Sequence, residues 1–176
     1  MKALVGRLAG VVDRLADSMG MFSAVLVVVM GFLIASEVFL RYVVGRAPLL
    51  ADELSRYFLV AMTFLGMAWV WKENGHVRVE ALVQRLSKQK ANALRICTLV
   101  LAFVFALALF IGSLDFIERS FSQNRTSDSW LRVPLKYPES AIVIGFLLLA
   151  IQIAVTIWRA VATVRSGGAL EQEAPK

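Results

Sequence analysis

Charged residues collect in a part of the chain that is mostly apolar. Glu37 and Arg41 are four apart, and Asp52, Glu53 and Arg56 fall within five positions. Ionisable groups inside or beside an apolar run are costly to keep and tend to mark function. A carboxylate such as Glu37 could carry a proton across a membrane. Paired with a cation, it could instead hold helices together or meet a partner. The acid-first order of Glu37 and Arg41 suits an i,i+4 pair on a helix.

Pro48 resists a mid-helix position, so the chain should turn before Asp52. Asp52 can then cap a new helix, and Glu53 in its first turn is favoured by the helix dipole. Arg56 is a cation near a helix N-terminus, where the dipole is unfavourable. It therefore needs a carboxylate, and Glu53, Glu37 or a partner could supply one. The five residues together predict a small ionic network where two helices meet.

Other reactive groups are scarce. There is one histidine, His76, and one cysteine, Cys97. One histidine cannot supply the pair that holds haem in a four-helix protein. One cysteine excludes an internal disulfide and a thiol redox pair, so Cys97 is expected to be a small buried packing residue. No glycine-rich phosphate loop is present. The residues predict no enzyme, no cofactor and no metal site. His76 follows Asn74 and Gly75 at a helix end, where it can bond free carbonyls. With Arg78 it could also form a cytoplasmic interface to lipid headgroups or a partner.

The elements that must position these residues are long and apolar. Of 176 residues, 59% are hydrophobic and 18% charged, whereas a soluble domain is about half apolar and a quarter charged. Ser18–Ser36, Ile96–Leu114 and Ser140–Trp158 are each 19 residues without a charge, and Leu54–Trp71 is 18 residues broken only by Arg56. A spanning helix needs about 20 mostly apolar residues, and in lipid the backbone must bond to itself. The fold class is therefore an all-α integral membrane protein, one membrane domain with four transmembrane helices at about 18–44, 52–72, 93–115 and 137–160. A cleaved signal is disfavoured, because the first apolar run begins late and Leu33 and Ala35 make a poor cleavage site.

Two amphipathic helices are expected beside the spans. In residues 1–17, Leu4, Leu8, Val11, Val12, Leu15 and Met19 share a stripe, with Lys2, Arg7, Asp13 and Arg14 off it. This predicts a helix on the membrane surface or on a partner. Between the second and third spans, Val79, Leu82, Val83 and Leu86 share a face edged by Arg78, Arg85 and Lys88. That predicts a basic helix on the cytoplasmic surface. The tail over 165–176 reads as disordered.

The net charge of +6 reads as topology, not as nucleic-acid binding. With the N-terminus inside, twelve of the nineteen Lys and Arg face the cytoplasm. Basic residues mark cytoplasmic loops, so both termini are expected there, with the basic excess toward anionic membrane lipids. Tyr42, Tyr57 and Tyr137 then fall at outer ends, and Trp69, Trp71 and Trp158 at inner ends, where amphipathic rings settle. Small residues four apart recur within the spans: Gly31 and Ala35, Ala102 and Ala106, Ala108 and Gly112, Ala141 and Gly145, Ala150 and Ala154. Such pairs let helix backbones approach closely.

The stretch EVFLRYVVGRAPLLADELSRYFLVAMTFLGMAWVWKENGHVRVEALVQRL, residues 37–86, resembles the small membrane subunit of tripartite ATP-independent periplasmic (TRAP) transporters, the DctQ type. Arg41 matches an arginine that ends the family's first helix. Glu53 and Arg56 match its acidic helix start, with Leu50 or Ala51 where the family has tryptophan and Asp52 as the first acid. Leu65 and Gly66 match a Leu-Gly pair, and His76, Val77, Val79 and Glu80 match the segment that follows. The layout extends the likeness over about 20–160.

The resemblance implies a bacterial inner-membrane protein that acts as a scaffold. Its partners would be a large many-helix TRAP membrane subunit and a periplasmic solute-binding protein. The large subunit would import an organic acid, coupled to sodium, by symport. The alternatives are a self-sufficient four-helix transporter using Glu37 and a membrane anchor for a redox enzyme.

Overall fold

A computed structural model describes residues 2–45, 50–73, 87–129 and 132–165. Four long helices account for most of them. These are α1 (Lys2–Phe39), α2 (Leu50–Lys72), α3 (Lys88–Ser122) and α4 (Lys136–Arg165). Each contains a stretch long and apolar enough to cross a membrane.

The charge-free runs mark hydrocarbon, and the helices outrun it. At 1.5 Å per residue, α1 is about 57 Å long and α3 about 52 Å, against roughly 30 Å of acyl chain. Residues 2–17, expected as a separate amphipathic helix, are continuous with the first span. That segment has no proline, and its isolated glycines do not break the backbone ladder. The orientation of its stripe also differs from a simple packing face. Leu8, Val11 and Leu15 are exposed, while Ala9 and Ala16 are buried against the other helices.

The C-terminal end of α1 loosens into a π-helical turn, Leu40–Val44, which ends at Gly45 with φ +73°. Glycine takes this left-handed conformation without a Cβ penalty, which makes it a good helix stop. The basic helix expected over 79–86, His76, Arg78 and the tail beyond Arg165 lie outside the described residues.

The helices stand in an open row. α1 packs along α2, α2 along α4, and α4 along α3, with a lighter contact between α1 and α4. In a closed four-helix bundle every helix has two close neighbours. Here α3 has one, α4. Accordingly, 33% of the residues in α4's most apolar stretch are buried, against 11% in those of α1 and α3.

Close approach explains the row. Asp17 meets Lys72, Gly20 meets Trp69 and Ser23 meets Gly66, so α1 and α2 run antiparallel in even register. Continued at the same pitch, that register brings Glu37 level with Asp52. Gly145 lets α4 touch the backbone of Phe64 on α2, beside an edge-on contact between Phe64 and Phe146 at 5.2 Å. Ala106, Ala150 and Ile153 form the α3–α4 core, with Trp71, Ala102, Phe103, Leu149 and Ile157 around it.

Three of the small-residue pairs thus bear on contacts within the chain, through Ala102 and Ala106, Ala141 and Gly145, and Ala150. Gly31 with Ala35 on α1, and Ala108 with Gly112 on α3, lie on exposed faces instead.

α3 and α4 are joined by a folded connection. Thr126 and Pro134 bridge antiparallel. Ser127 N–H donates to Val133 O at 2.9 Å and Leu135 N–H to Arg125 O at 3.0 Å. Lys136 lies over the rings of Phe121 and Tyr137, 5.7 and 5.6 Å from their centroids. Its charge ties the ends of the two helices together.

Candidate functional site

The charged residues collect at the two ends of the row. At the end where α1 finishes and α2 begins, Glu37 is buried, and Arg41 donates to its carboxylate across one helical turn. Arg41 sits in the π-helical turn.

One turn into α2 the acids divide. Asp52 and Arg56 pair with each other on the exposed side of the helix. Arg56 therefore takes Asp52 as its partner rather than Glu53 or Glu37. The i,i+4 spacing brings Asp52 to it, whereas Glu53, one residue further round the helix, is turned into the row and buried. Asp52 stands inside the first turn of α2, which begins at Leu50.

Glu53 is the inward member and is only 7% exposed. Tyr57 donates to it at 2.7 Å, and Ser127 and Ser129 stand near the same carboxylate. Those two serines are 2.7 Å apart, and Ser129 N–H donates to Ser127 Oγ at 3.1 Å. Glu53 thus faces the connection between α3 and α4 from α2. Tyr57, expected as an interfacial ring, serves this buried bond. Tyr42 and Tyr137 are the exposed outer tyrosines. Glu139, in the first turn of α4, is also buried, and its Oε2 has no hydrogen-bond partner among the described residues.

The opposite end of the row carries a second network that no motif in the sequence marks. Arg159 of α4 donates to both carboxylate oxygens of Asp13. Gln152, 1% exposed, donates to Asp13 Oδ1 at 3.0 Å. Lys72 of α2 pairs with Asp17, with Glu73 3.6 Å away. Trp71 Nε1–H donates to Thr156 Oγ1 at 3.2 Å, and that hydroxyl donates to Gln152 O at 2.9 Å. Three helices are joined here by groups that would otherwise be stranded near apolar surface. The signal available in the sequence was the presence of Asp13 and Asp17 on the less apolar side of the first helix. Their partners lie 146 and 55 residues away.

Cys97 is exposed on α3, which corrects its expected burial within the chain. It lies on a helix with only one neighbour. Among the described residues no three His, Cys, Asp or Glu gather as a metal site would require. An open cleft of about 270 Å³ at the outer end of α3 is lined by Asp115, Glu118, Arg119 and Ser122.

Four long apolar helices, three of them joined by polar pairs at one end, define a multi-pass membrane protein. Over residues 30–163 the sequence matches the family described as tripartite ATP-independent periplasmic transporters, DctQ component. It is 30% identical over 125 residues, 70% of this chain and 76% of the other, to a protein of Haemophilus influenzae named as a TRAP transporter small permease. The chain belongs to the DctQ family, whose members are small membrane subunits of TRAP transporters. Membership places it among transport components.

Proposed function

We propose that this chain is the fixed small subunit of a TRAP importer in a bacterial inner membrane, with both termini cytoplasmic. It braces a large many-helix subunit that carries an organic acid with sodium, and it helps to receive a periplasmic solute-binding protein. The observation that supports this most is the open row. Its inner polar groups are spent on joining helix to helix, as in Asp13–Arg159 and Asp17–Lys72, while long apolar faces remain available to a partner and to lipid. A scaffold needs that division of labour: rigid internal joints and wide outer faces.

In this reading Glu37, Arg41, Asp52, Glu53 and Arg56 set the outer corner, and His76 with Arg78 serve the cytoplasmic interface. The pairing of Glu37 with Arg41 is the arrangement expected of a joint rather than of a proton carrier. The test is solute uptake in cells that co-express all three components. Glu53→Ala or Arg56→Ala lowers uptake by weakening assembly and leaves solute preference unchanged. Normal assembly and uptake in both variants would count against the role. Transport by this chain alone in liposomes would favour a self-sufficient carrier.

A further inference from the structure

The seam between α3 and α4 holds two polar groups set against each other. Ala106 of α3 and Ile153 of α4 meet in the core, and the two helices run antiparallel. A step of seven residues makes nearly two turns and returns to almost the same face. One such step toward the start of α3 and the end of α4 gives Leu99 and Ala160, both buried. Two steps the other way give Ser120, 1% exposed, and Glu139, 7% exposed. The register that builds the core therefore sets Ser120 opposite Glu139.

Both groups are short of partners. Ser120 Oγ and Glu139 Oε2 are enclosed and have no hydrogen bond among the described residues. Most serines on these helices avoid that state locally. Ser18, Ser23, Ser36, Ser113, Ser122 and Ser140 each donate to a carbonyl of their own helix three or four residues back. Ser120 does not, so its hydroxyl is turned off its own backbone and toward the seam.

Glu139 adds a charge to be balanced. A buried carboxylate requires a cation or must give up its charge. It stands in the first turn of α4, where the helix dipole favours negative charge. Lys136 has the spacing for a pair with it, but its ammonium lies over the rings of Phe121 and Tyr137 instead. Arg119 adjoins Ser120 and lines the cleft on the other side of α3. From α2, Arg56 is spent on Asp52, and the inward group is a second acid, Glu53.

We infer that Ser120 and Glu139 hold one monovalent alkali cation between α3 and α4. One carboxylate balances one positive charge, whereas a divalent ion would leave charge stranded in the seam. The donors are oxygens alone, which suits a hard cation and not a transition metal. An alkali ion also accepts hydroxyl and backbone carbonyl oxygens, so it does not need three clustered His, Cys, Asp or Glu. Bound there, it would fasten α3 to its one neighbour at the end of the row opposite the Asp13 network.

The test uses the chain alone in detergent, so ions carried by a large subunit do not enter. Melting is followed in sodium, potassium or choline chloride at constant pH and ionic strength. Sodium or potassium should raise the melting temperature over choline, by roughly 5–11 °C at one hundred times the dissociation constant. Glu139→Gln keeps the shape and should remove the response. Ser120→Ala should demand more salt for the same shift, and Glu53→Gln should keep the response. Equilibrium dialysis with radioactive sodium, or with potassium as competitor, reads the site without unfolding. It should count one ion per chain, lost in Glu139→Gln. If that variant does not fold, the weakened binding of Ser120→Ala carries the test. Four results would overturn the inference: equal melting in all three salts, a response that survives Glu139→Gln, a shift produced by calcium alone, or melting that follows pH and ignores the cation.

Discussion

Gly145 is where α4 comes closest to α2. A Cβ at this position would stand 2.3 Å from the carbonyl oxygen of Phe64 and 2.6 Å from its carbonyl carbon. Both are backbone atoms, so no side-chain rotation relieves the clash. Ordinary contact near 3.5 Å requires the helices to part by about 1 Å here. That movement also loosens the Phe64–Phe146 contact. Overpacking of this kind costs about 1–3 kcal/mol.

Gly112→Ala is the control, because a Cβ there meets nothing within 4 Å. Both substitutions carry the same gain in helix propensity, about 1 kcal/mol, so their difference isolates the packing cost. For a chain of this size, Gly145→Ala should melt roughly 2–12 °C below Gly112→Ala. The assay is thermal unfolding of the detergent-solubilised chain, followed by tryptophan fluorescence and size exclusion. Gly20→Ala should fall between the two. Its Cβ would meet Trp69 Cγ at 2.4 Å and Trp69 Cβ at 2.9 Å; turning the half-exposed ring relieves the first contact but not the second. If Gly145→Ala melts at or above Gly112→Ala, the α2–α4 approach is wrong, and the order of the row with it.

The two networks give further expectations. In a double-mutant cycle, Asp13→Ala and Arg159→Ala should couple by about 0.5–3 kcal/mol. Additive losses would mean that the inner pair does not form. Glu53→Ala should cost about 1–3 kcal/mol, because it strands the Tyr57 hydroxyl and the serines beside it. Arg56→Ala should cost less than about 1 kcal/mol, because the Asp52–Arg56 pair is exposed. Equal melting of these two variants would contradict the inward placing of Glu53. In the assembled transporter both variants should still reduce uptake, since the proposed role of Arg56 is exercised at the partner.

The four spans were legible because lipid imposes one rule, about 20 residues without charge, and Ser18–Ser36, Ile96–Leu114 and Ser140–Trp158 obey it. Helix ends were not, because nothing stops a helix where hydrocarbon stops. α1 therefore begins at Lys2 and α3 runs on to Ser122. The pairing of Glu37 with Arg41 was readable because i,i+4 geometry is local. Local spacing misdirected Arg56 toward Glu53, since both i,i+3 and i,i+4 partners were available and only the fold decides which acid turns inward. Asp13 with Arg159 and Gln152 depends on α1 crossing beside α4, and no spacing in the chain encodes that. The small-residue pairs were visible as pairs. Which of them meet a neighbour depends on the helix order, and that is set by contacts such as Gly145 on Phe64.

The central claim is that this chain serves as the small subunit of a TRAP importer, and its most direct test is a purification. The tagged chain is taken from its native membrane in mild detergent, and whatever accompanies it is identified by mass. The account predicts a stoichiometric, much larger membrane protein with many spans, whose retention falls in the Glu53→Ala variant. A chain that emerges alone, stable and able to transport solute in liposomes would contradict it and turn attention to Glu37.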